Sequence, residues 1–298
     1  MKKSLLLAAM LLSVAVSANA TDFETVSYID ADGNQQTVSA APITYWMDDD
    51  VAEFNGWQVG FDLKSGWFVV NGDVSTFGPL ITNDANGPVN IILADDCCLH
   101  VDRLLMQTDA NIYVQSKGNG KIQTSDMSAL YPGSPTINIY GGTLSGELYC
   151  NYITTMSVYN ADITGYIGND GGSMLIENSI VTNTAGPALV NNGNCVINSG
   201  TFTGAEYAFQ FGENNIGITL APGTAWFSDG VKVELETKDI GDHYTASTLA
   251  SYTVKDDVST GINGVKVEGS KAVKTIENGK LVITKDGKRY NAAGQLMK

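Results

Sequence analysis

Basic side chains are scarce in this chain. Its 17 lysines and arginines stand against 32 aspartates and glutamates, for a formal net charge of −15. Only two arginines occur, Arg103 and Arg289. Proteins that bind nucleic acids contact the phosphates through clusters of Lys and Arg. The composition therefore predicts that no nucleic acid is a partner.

Histidines and metal-binding patterns are also few. The two histidines, His100 and His243, lie far apart in the sequence, which argues against a multi-histidine metal site or a catalytic triad. Acidic turns at residues 48–50 and 169–172 carry oxygen ligands suited to calcium, but neither has the ligand spacing of an EF-hand. We therefore predict no cofactor.

The cysteines form neither a zinc-binding nor a disulfide-rich pattern. They are Cys97, Cys98, Cys150 and Cys195, and no pair has C-x-x-C spacing. One or two disulfides are permitted in an oxidising compartment, and the sequence leaves their pairing open. Cys195 takes a repeat position that Ile or Met holds in other copies, so we interpret it as a small core residue.

Only the N-terminus carries a long apolar run. Two lysines precede the run from Leu5 to Val16, and the small residues at 18–20 suit a signal peptidase, so residues 1–20 are predicted to be a signal peptide. The run is too short to span a bilayer, and no comparable segment follows. We expect a secreted or cell-surface protein, with the periplasm as the alternative compartment and no transmembrane segment.

A short repeat runs through the middle of the chain. Four ten-residue copies align without gaps, starting at Ile137, Met156, Met174 and Cys195. Positions one and three are apolar in every copy, which is the period of a strand, and position eight is apolar again. Position nine is always Ser or Thr, and position ten is Gly or Asn, as expected at a turn. Such short coils cannot bury their own apolar face, so they are expected to stack.

The pattern predicts an all-β fold, a right-handed parallel β-helix with coils of about 18–21 residues. Weaker copies extend the repeat in both directions. The expected organisation is a signal peptide at 1–20, an N-terminal β cap at 21–59, the β-helix at 60–235, a strand and linker at 236–261, and a small C-terminal β module at 262–298.

No active site can be assembled from the sequence. Arg103 is the only arginine in the repeats, and no cluster of aspartates aligns beside it across the coils, which disfavours a polyuronate lyase. Asp95 and Asp96 are the most obvious pair for a glycosidase, but adjacent residues on a strand point to opposite faces and cannot form its facing pair. We therefore interpret them as a solvated turn. Three more acidic residues follow on successive coils but in different columns: Asp162, Asp170 and Glu177.

The outer surface offers candidate glycan-binding residues. Tyr140 and Tyr159 share an outward column on adjacent coils, and the hydroxyls of position nine lie nearby in sequence: Ser145, Thr164, Thr182 and Thr203. Flat rings with hydroxyl partners are typical of sugar-binding surfaces. The alternative is that Tyr and Thr are simply favourable residues on an exposed sheet.

Three early segments, residues 66–74, 89–96 and 111–114, resemble the start of the repetitive β-helical surface proteins of Bacteroidetes, over about residues 60–230. The resemblance implies a carbohydrate-binding or adhesin-like protein. The tail at 279–298 is similar to C-terminal sorting signals of the same phylum, including those of type IX secretion, which implies sorting machinery as a partner.

The leading interpretation is an extracytoplasmic, non-enzymatic β-helix protein that binds a polysaccharide, a surface glycan or a surface protein. The alternative is a polysaccharide lyase or glycoside hydrolase. Matched carboxylates beside a groove on one face would favour this alternative. A third interpretation is a structural spacer.

Overall fold

The computed structural model describes residues 23–43, 51–54, 57–75, 78–82, 86–129, 135–152, 154–212, 217–257, 273–277, 280–285, 288–291 and 296–297. The predicted signal peptide and the acidic turn at 48–50 lie outside these residues. The chain divides into two compact units, residues 1–256 and 257–298. All regular secondary structure in the described ranges is β-strand, which confirms the all-β prediction. No helix that could cross a membrane is found in this part of the chain.

The first unit begins with four strands, followed by seven stacked coils. The opening strands are β1 (Glu24–Ile29), β2 (Gln35–Ile43), β3 (Val51–Phe54) and β4 (Trp57–Leu63). Coils 1 to 3 are β5 (Gly66–Val70), β6 (Asp73–Ser75) and β7 (Leu80–Thr82); β8 (Val89–Leu93), β9 (Cys98–His100) and β10 (Arg103–Met106); and β11 (Ala110–Val114) with β12 (Lys121–Ala129).

Coils 4 to 7 continue the series. They are β13 (Thr136–Ile139) with β14 (Gly142–Asn151); β15 (Thr155–Tyr159), β16 (Ala161–Thr164) and β17 (Ile167–Asp170); β18 (Ser173–Glu177), β19 (Ser179–Thr182) and β20 (Leu189–Asn191); and β21 (Asn194–Ile197), β22 (Gly200–Thr203) and β23 (Phe209–Phe211). The unit ends with β24 (Ile218–Leu220), β25 (Thr224–Ser228), β26 (Val231–Val233), β27 (Thr237–Gly241), β28 (Tyr244–Ser247) and β29 (Ser251–Asp256).

Parallel pairing between successive coils builds three faces. Face 1 is β5, β8, β11, β13, β15, β18 and β21; face 2 is β6, β9, the first halves of β12 and β14, β16, β19 and β22; face 3 is β7, β10, the second halves of β12 and β14, β17, β20 and β23. The long strands β12 and β14 run from face 2 into face 3 without a break. This arrangement is a parallel β-solenoid and confirms the predicted fold class.

The core is made of inward columns, one residue per coil. On face 1, register pairs Ile137 with Met156, Met156 with Met174, and Met174 with Cys195, as the repeat alignment predicted. On face 2 the column is Leu144, Ile163, Val181 and Phe202, and on face 3 it is Leu148, Ile167, Leu189 and Phe209. All these side chains are buried, so each coil covers the apolar edge of the next.

The corner between faces 2 and 3, which we call the second corner, is made by position ten of the repeat. Its residues are Gly146, Gly165, Asn183 and Gly204. Gly146 and Gly165 have φ angles of 136° and 140°. A Cβ atom on Gly165 would lie 2.0 Å from the carbonyl oxygen of Gly146. Glycine is therefore required where the backbones of two coils pass this close together.

The N-terminal hairpin of β1 and β2 lies on the outside of face 1. The end of β2 pairs with β5 as an added strand of that face, while the ring of Tyr28 in β1 is 4.8 Å from both Trp67 and Tyr113. Trp67 and Tyr113 stand two coils apart, so β1 cannot extend the plane of the sheet and must cross over it. The outward side chains of Val69 and Ile92 are buried as a result.

Antiparallel strands close the C-terminal end of the solenoid. β29 pairs with β22, and β28 pairs with β23, so the last edges of faces 2 and 3 are both covered. Beneath them an aromatic cluster fills the end of the core, with Phe209 5.3 Å from Trp226 and 5.4 Å from Tyr252. Covered edges cannot recruit strands from other chains.

The second unit is a small antiparallel sheet. Its strands are β30 (Val273–Glu277), β31 (Lys280–Lys285) and β32 (Lys288–Asn291), paired in chain order. Both pairs are antiparallel, as alternating apolar residues around Asn-Gly and Asp-Gly predict, and these two dipeptides lie outside the described residues.

Candidate functional site

The predicted tyrosines stand in an aromatic stack on face 1. Tyr140 lies between Tyr113 and Tyr159, at ring centroid distances of 5.0 Å and 5.5 Å and interplanar angles of 16° and 7°. Trp67 and Tyr28 continue the stack toward the N-terminus. Because the rings stack on one another, both faces of the Tyr140 ring are occupied by neighbouring rings. The stack stabilises the coils, and Tyr140 presents a ring edge, rather than a ring face, to a ligand.

The predicted hydroxyl residues form a separate column on face 2. Register pairs Ser145 with Thr164, Thr164 with Thr182, and Thr182 with Thr203. The Thr203 hydroxyl contacts the Ser251 hydroxyl at 3.0 Å. The structure thus brings the two tyrosines together and the four hydroxyls together, but it places the two groups on different faces. The hydroxyl column immediately precedes the second corner.

An open groove of about 550 Å³ runs along the second corner. Its lining residues come from coils 3 to 7 and are Thr124, Ser125, Gly146, Glu147, Tyr149, Gly165, Tyr166, Asn183, Ala185, Gly186, Pro187, Val190 and Gln210. The loop at 183–188 is longer than the corresponding turn at Gly165 and forms one side of the groove. Two aromatic rings, a carboxylate, two amides and two hydroxyls therefore surround one solvent-accessible channel.

The ring of Tyr149 lies across Gly168 of the next coil. The two residues are register partners on the outer surface of face 3. A Cβ atom on Gly168 would be 2.6 Å from Cε1 of Tyr149 and 2.8 Å from Cδ1. The absence of a side chain at this position is what allows the ring to pack against the sheet. Tyr149 is also one of the residues that line the groove.

Tyr166 contacts Tyr149 edge-on at the same place. The ring planes are 79° apart at a centroid distance of 5.5 Å, and the two phenol oxygens are hydrogen-bonded to each other. Burial raises the pKa of the Tyr166 phenol above its ordinary value of 10.0, and the bond to Tyr149 and the negative charge of Glu147 raise it further. Tyr166 therefore stays protonated and can donate or accept a hydrogen bond at neutral pH.

The register of face 3 also aligns three charged residues that the sequence did not bring together. Arg103 pairs with Asp126, and Asp126 pairs with Glu147, on coils 2 to 4. The copies aligned on the sequence do not reveal this alignment. The reason is a register shift between Gln123 and Asp126, which offsets β12 from β14 by one residue. An alignment made on faces 1 and 2 consequently misses the partners on face 3.

A longer alignment could have identified Tyr149 and Tyr166. The spacing from Leu144 to Leu148 equals that from Ile163 to Ile167, so extending the two copies by a few residues pairs Tyr149 with Gly168. The aligned copies end at position ten, because no shared pattern is recognisable beyond the turn.

Groups that could bind a metal are not gathered anywhere in the described ranges, where no cluster of three His, Cys, Asp or Glu residues occurs. At the turn 169–172, the Asn169 side chain points inward, and its amide nitrogen donates to Asn191 Oδ1 at 2.8 Å.

All four cysteines are free thiols. Burial raises the pKa of Cys195 to about 12, which leaves its thiol protonated and suits a core residue.

Comparison with protein-family models, with curated proteins and with solved structures found no match to this chain.

Proposed function

We propose that this protein binds a glycan in the groove at the second corner, as an extracytoplasmic, adhesin-like β-solenoid. The observation that carries the proposal is the Tyr149 ring, which packs on Gly168 of the next coil and lines the groove. Aromatic faces take up the apolar faces of sugar rings, while a few placed polar groups fix the orientation.

The polar groups around the ring match the hydroxyl pattern of a sugar. Glu147 accepts hydrogen bonds, whereas the amides of Asn183 and Gln210 and the Tyr166 phenol can both donate and accept them. The hydroxyl column of face 2 adjoins the groove through Gly146 and Gly165. An open groove with mixed polar groups suits a flexible chain that stays partly hydrated better than it suits a small apolar molecule.

A glycan array tests the proposal with the full chain and two tyrosine variants. Tyr149→Ala should lower binding by tenfold or more, about 1.4 kcal/mol. Tyr152→Ala is the matched control because Tyr152 is 71% exposed and does not line the groove. If neither the wild-type chain nor the control binds any glycan, the structural spacer becomes the better interpretation.

A second candidate function is cleavage of the bound glycan. Asp126 and Glu147 are register partners on adjacent coils, so their Cα atoms are separated by about 4.8 Å. Glycosidases use pairs of carboxyl groups about 5 to 10 Å apart. Arg103 precedes this pair in the same column. Two acidic residues at aligned register positions are the feature that favours an enzyme.

Product analysis distinguishes binding from cleavage. If the pair is catalytic, the wild-type chain releases new reducing ends or unsaturated products from a polysaccharide that it binds. Glu147→Gln and Asp126→Asn should each abolish the products while leaving binding measurable. Bound polysaccharide without any product from the wild-type chain would rule out this second function.

A further inference from the structure

We infer that the glycan bound at the second corner is a linear chain without negative charge, lying along the solenoid axis with about one sugar residue per coil. This inference rests on the proposed glycan binding and specifies the ligand class of the same groove. It follows from the charges and the coil positions of the lining residues.

The groove has a negative charge and no positive one among its described lining residues. Glu147 is the one ionised side chain there, and no Lys, Arg or His lines the channel. The charge of Glu147 already contributes to the raised pKa of Tyr166, so its field extends to the phenol beside the ring. A uronate or sulfate group placed on Tyr149 would be repelled by this carboxylate, whereas a neutral or amine-bearing sugar would not.

Cations near the ends of the groove do not reverse this conclusion. Lys238 lies two strands beyond Gln210 and outside the groove lining. Arg103 stands two coils before Glu147, also outside the lining, and its register partner on the groove side is the acidic residue Asp126. The exposed Asp102 precedes Arg103 in the chain. An anionic glycan would therefore approach an excess of negative charge, in line with the net charge of the whole chain.

The axial direction follows from where the polar groups lie. Ser125 belongs to coil 3, Glu147 and Tyr149 to coil 4, Tyr166 to coil 5, Asn183 to coil 6 and Gln210 to coil 7. Four strand separations span roughly 19 Å. A glycan chain crossing the axis would meet one or two of these groups, while a chain parallel to the axis meets all of them in succession.

A pair of polysaccharides that differ only in charge provides the test. Highly methyl-esterified homogalacturonan and its de-esterified form share a backbone, and a neutral glucan, a mannan and chitosan complete the panel. At low salt, the full chain should bind non-anionic members, and de-esterification should weaken binding by about tenfold or more. Tighter binding of anionic members would overturn the inference but leave glycan binding intact. No binding to any member, nor to any glycan of the array, would contradict both.

Charge substitution and chain length make the test specific to this groove. Glu147→Lys should shift preference toward de-esterified homogalacturonan, whereas Glu24→Lys, the same change on the N-terminal hairpin, should not. For oligosaccharides of the best non-anionic ligand, affinity should rise up to about four sugars and then level off, because the groove spans about four strand separations. An affinity that is complete with one or two sugars would contradict the axial arrangement.

Discussion

At the scale of residues, Gly168 sets the position of the Tyr149 ring. Its Cβ would approach three ring atoms within 3.1 Å, so Gly168→Val must displace the ring. We predict that this variant loses glycan binding by about tenfold, close to the loss from Tyr149→Ala, measured by titration calorimetry.

A double-mutant cycle provides the control for this prediction. If Gly168→Val acts through the ring, adding it to Tyr149→Ala should cause no further loss of affinity. Additive losses would show instead that the substitution alters the groove by another route.

Tyr252 carries a buried hydroxyl that has no hydrogen-bond partner among the described residues. The side chain is fully buried in the aromatic cluster that closes the core. A buried unsatisfied hydroxyl costs free energy, so Tyr252→Phe should raise the free energy of unfolding by about 1 kcal/mol. Urea denaturation measures the change, and a loss of stability would show that the hydroxyl is satisfied.

Tyr113 makes the solenoid sensitive to alkali. Burial, with smaller effects from nearby Tyr140, Tyr28 and Asp30, raises its pKa from 10.0 to about 12. A raised folded-state pKa contributes stability that is fully present below pH 10 and is lost as the pH rises through about 12. Tyr113→Phe keeps the ring stack and removes the ionisable group, so its unfolding midpoint in an alkaline titration should move to higher pH. An unchanged midpoint would contradict this assignment.

At the scale of elements, the sequence predicts the columns of faces 1 and 2, whereas for face 3 it predicts only a short extended patch between copies, at 148–152, 187–190 and 207–211. The four copies between Ile137 and Gly204 align without gaps and contain the core columns of faces 1 and 2. They align because strand alternation and the turn at position ten have a fixed spacing. Face 3 follows that turn. At this point coil 3 has one additional residue between Gln123 and Asp126, and coil 6 has the loop at 183–188. The groove lies at this junction, so its residues from coils 4 and 5 could be aligned but those from coils 3 and 6 could not.

The N-terminal hairpin was also beyond reach of the sequence pattern. Its strands were expected to cap the first coil, and β2 does add to that edge. The crossing of β1 over face 1 brings Tyr28 into long-range contact with Tyr113. Periodicity within a strand carries no information about which distant ring it meets.

The antiparallel strands β28 and β29 protect the last coil. A chain ending at Gly212 would expose the edges of β22 and β23 and uncover Phe209, so we expect it to aggregate. A chain ending at Asp257 keeps both strands and should remain unaggregated. Light scattering at matched concentration compares the two truncations, and an unaggregated Gly212 chain would show that the edges need no cover.

At the scale of the whole molecule, the solenoid places unlike surfaces on its different faces. Face 1 carries an aromatic stack covered in part by the N-terminal hairpin, face 2 carries the hydroxyl column, and the corner between faces 2 and 3 carries the groove. Because each coil contributes one residue to each column, a ligand that follows the axis meets a repeated set of groups. This repetition is why a solenoid suits a chain-like ligand.

The most direct test is a crystal structure of the full chain with a bound non-anionic oligosaccharide. The account predicts that the oligosaccharide lies along the second corner, with one sugar ring against Tyr149 and hydrogen bonds to Glu147, Tyr166 or Asn183. An oligosaccharide bound on face 1 over Tyr140 and Tyr159, with an empty groove, would contradict the assignment of the binding site.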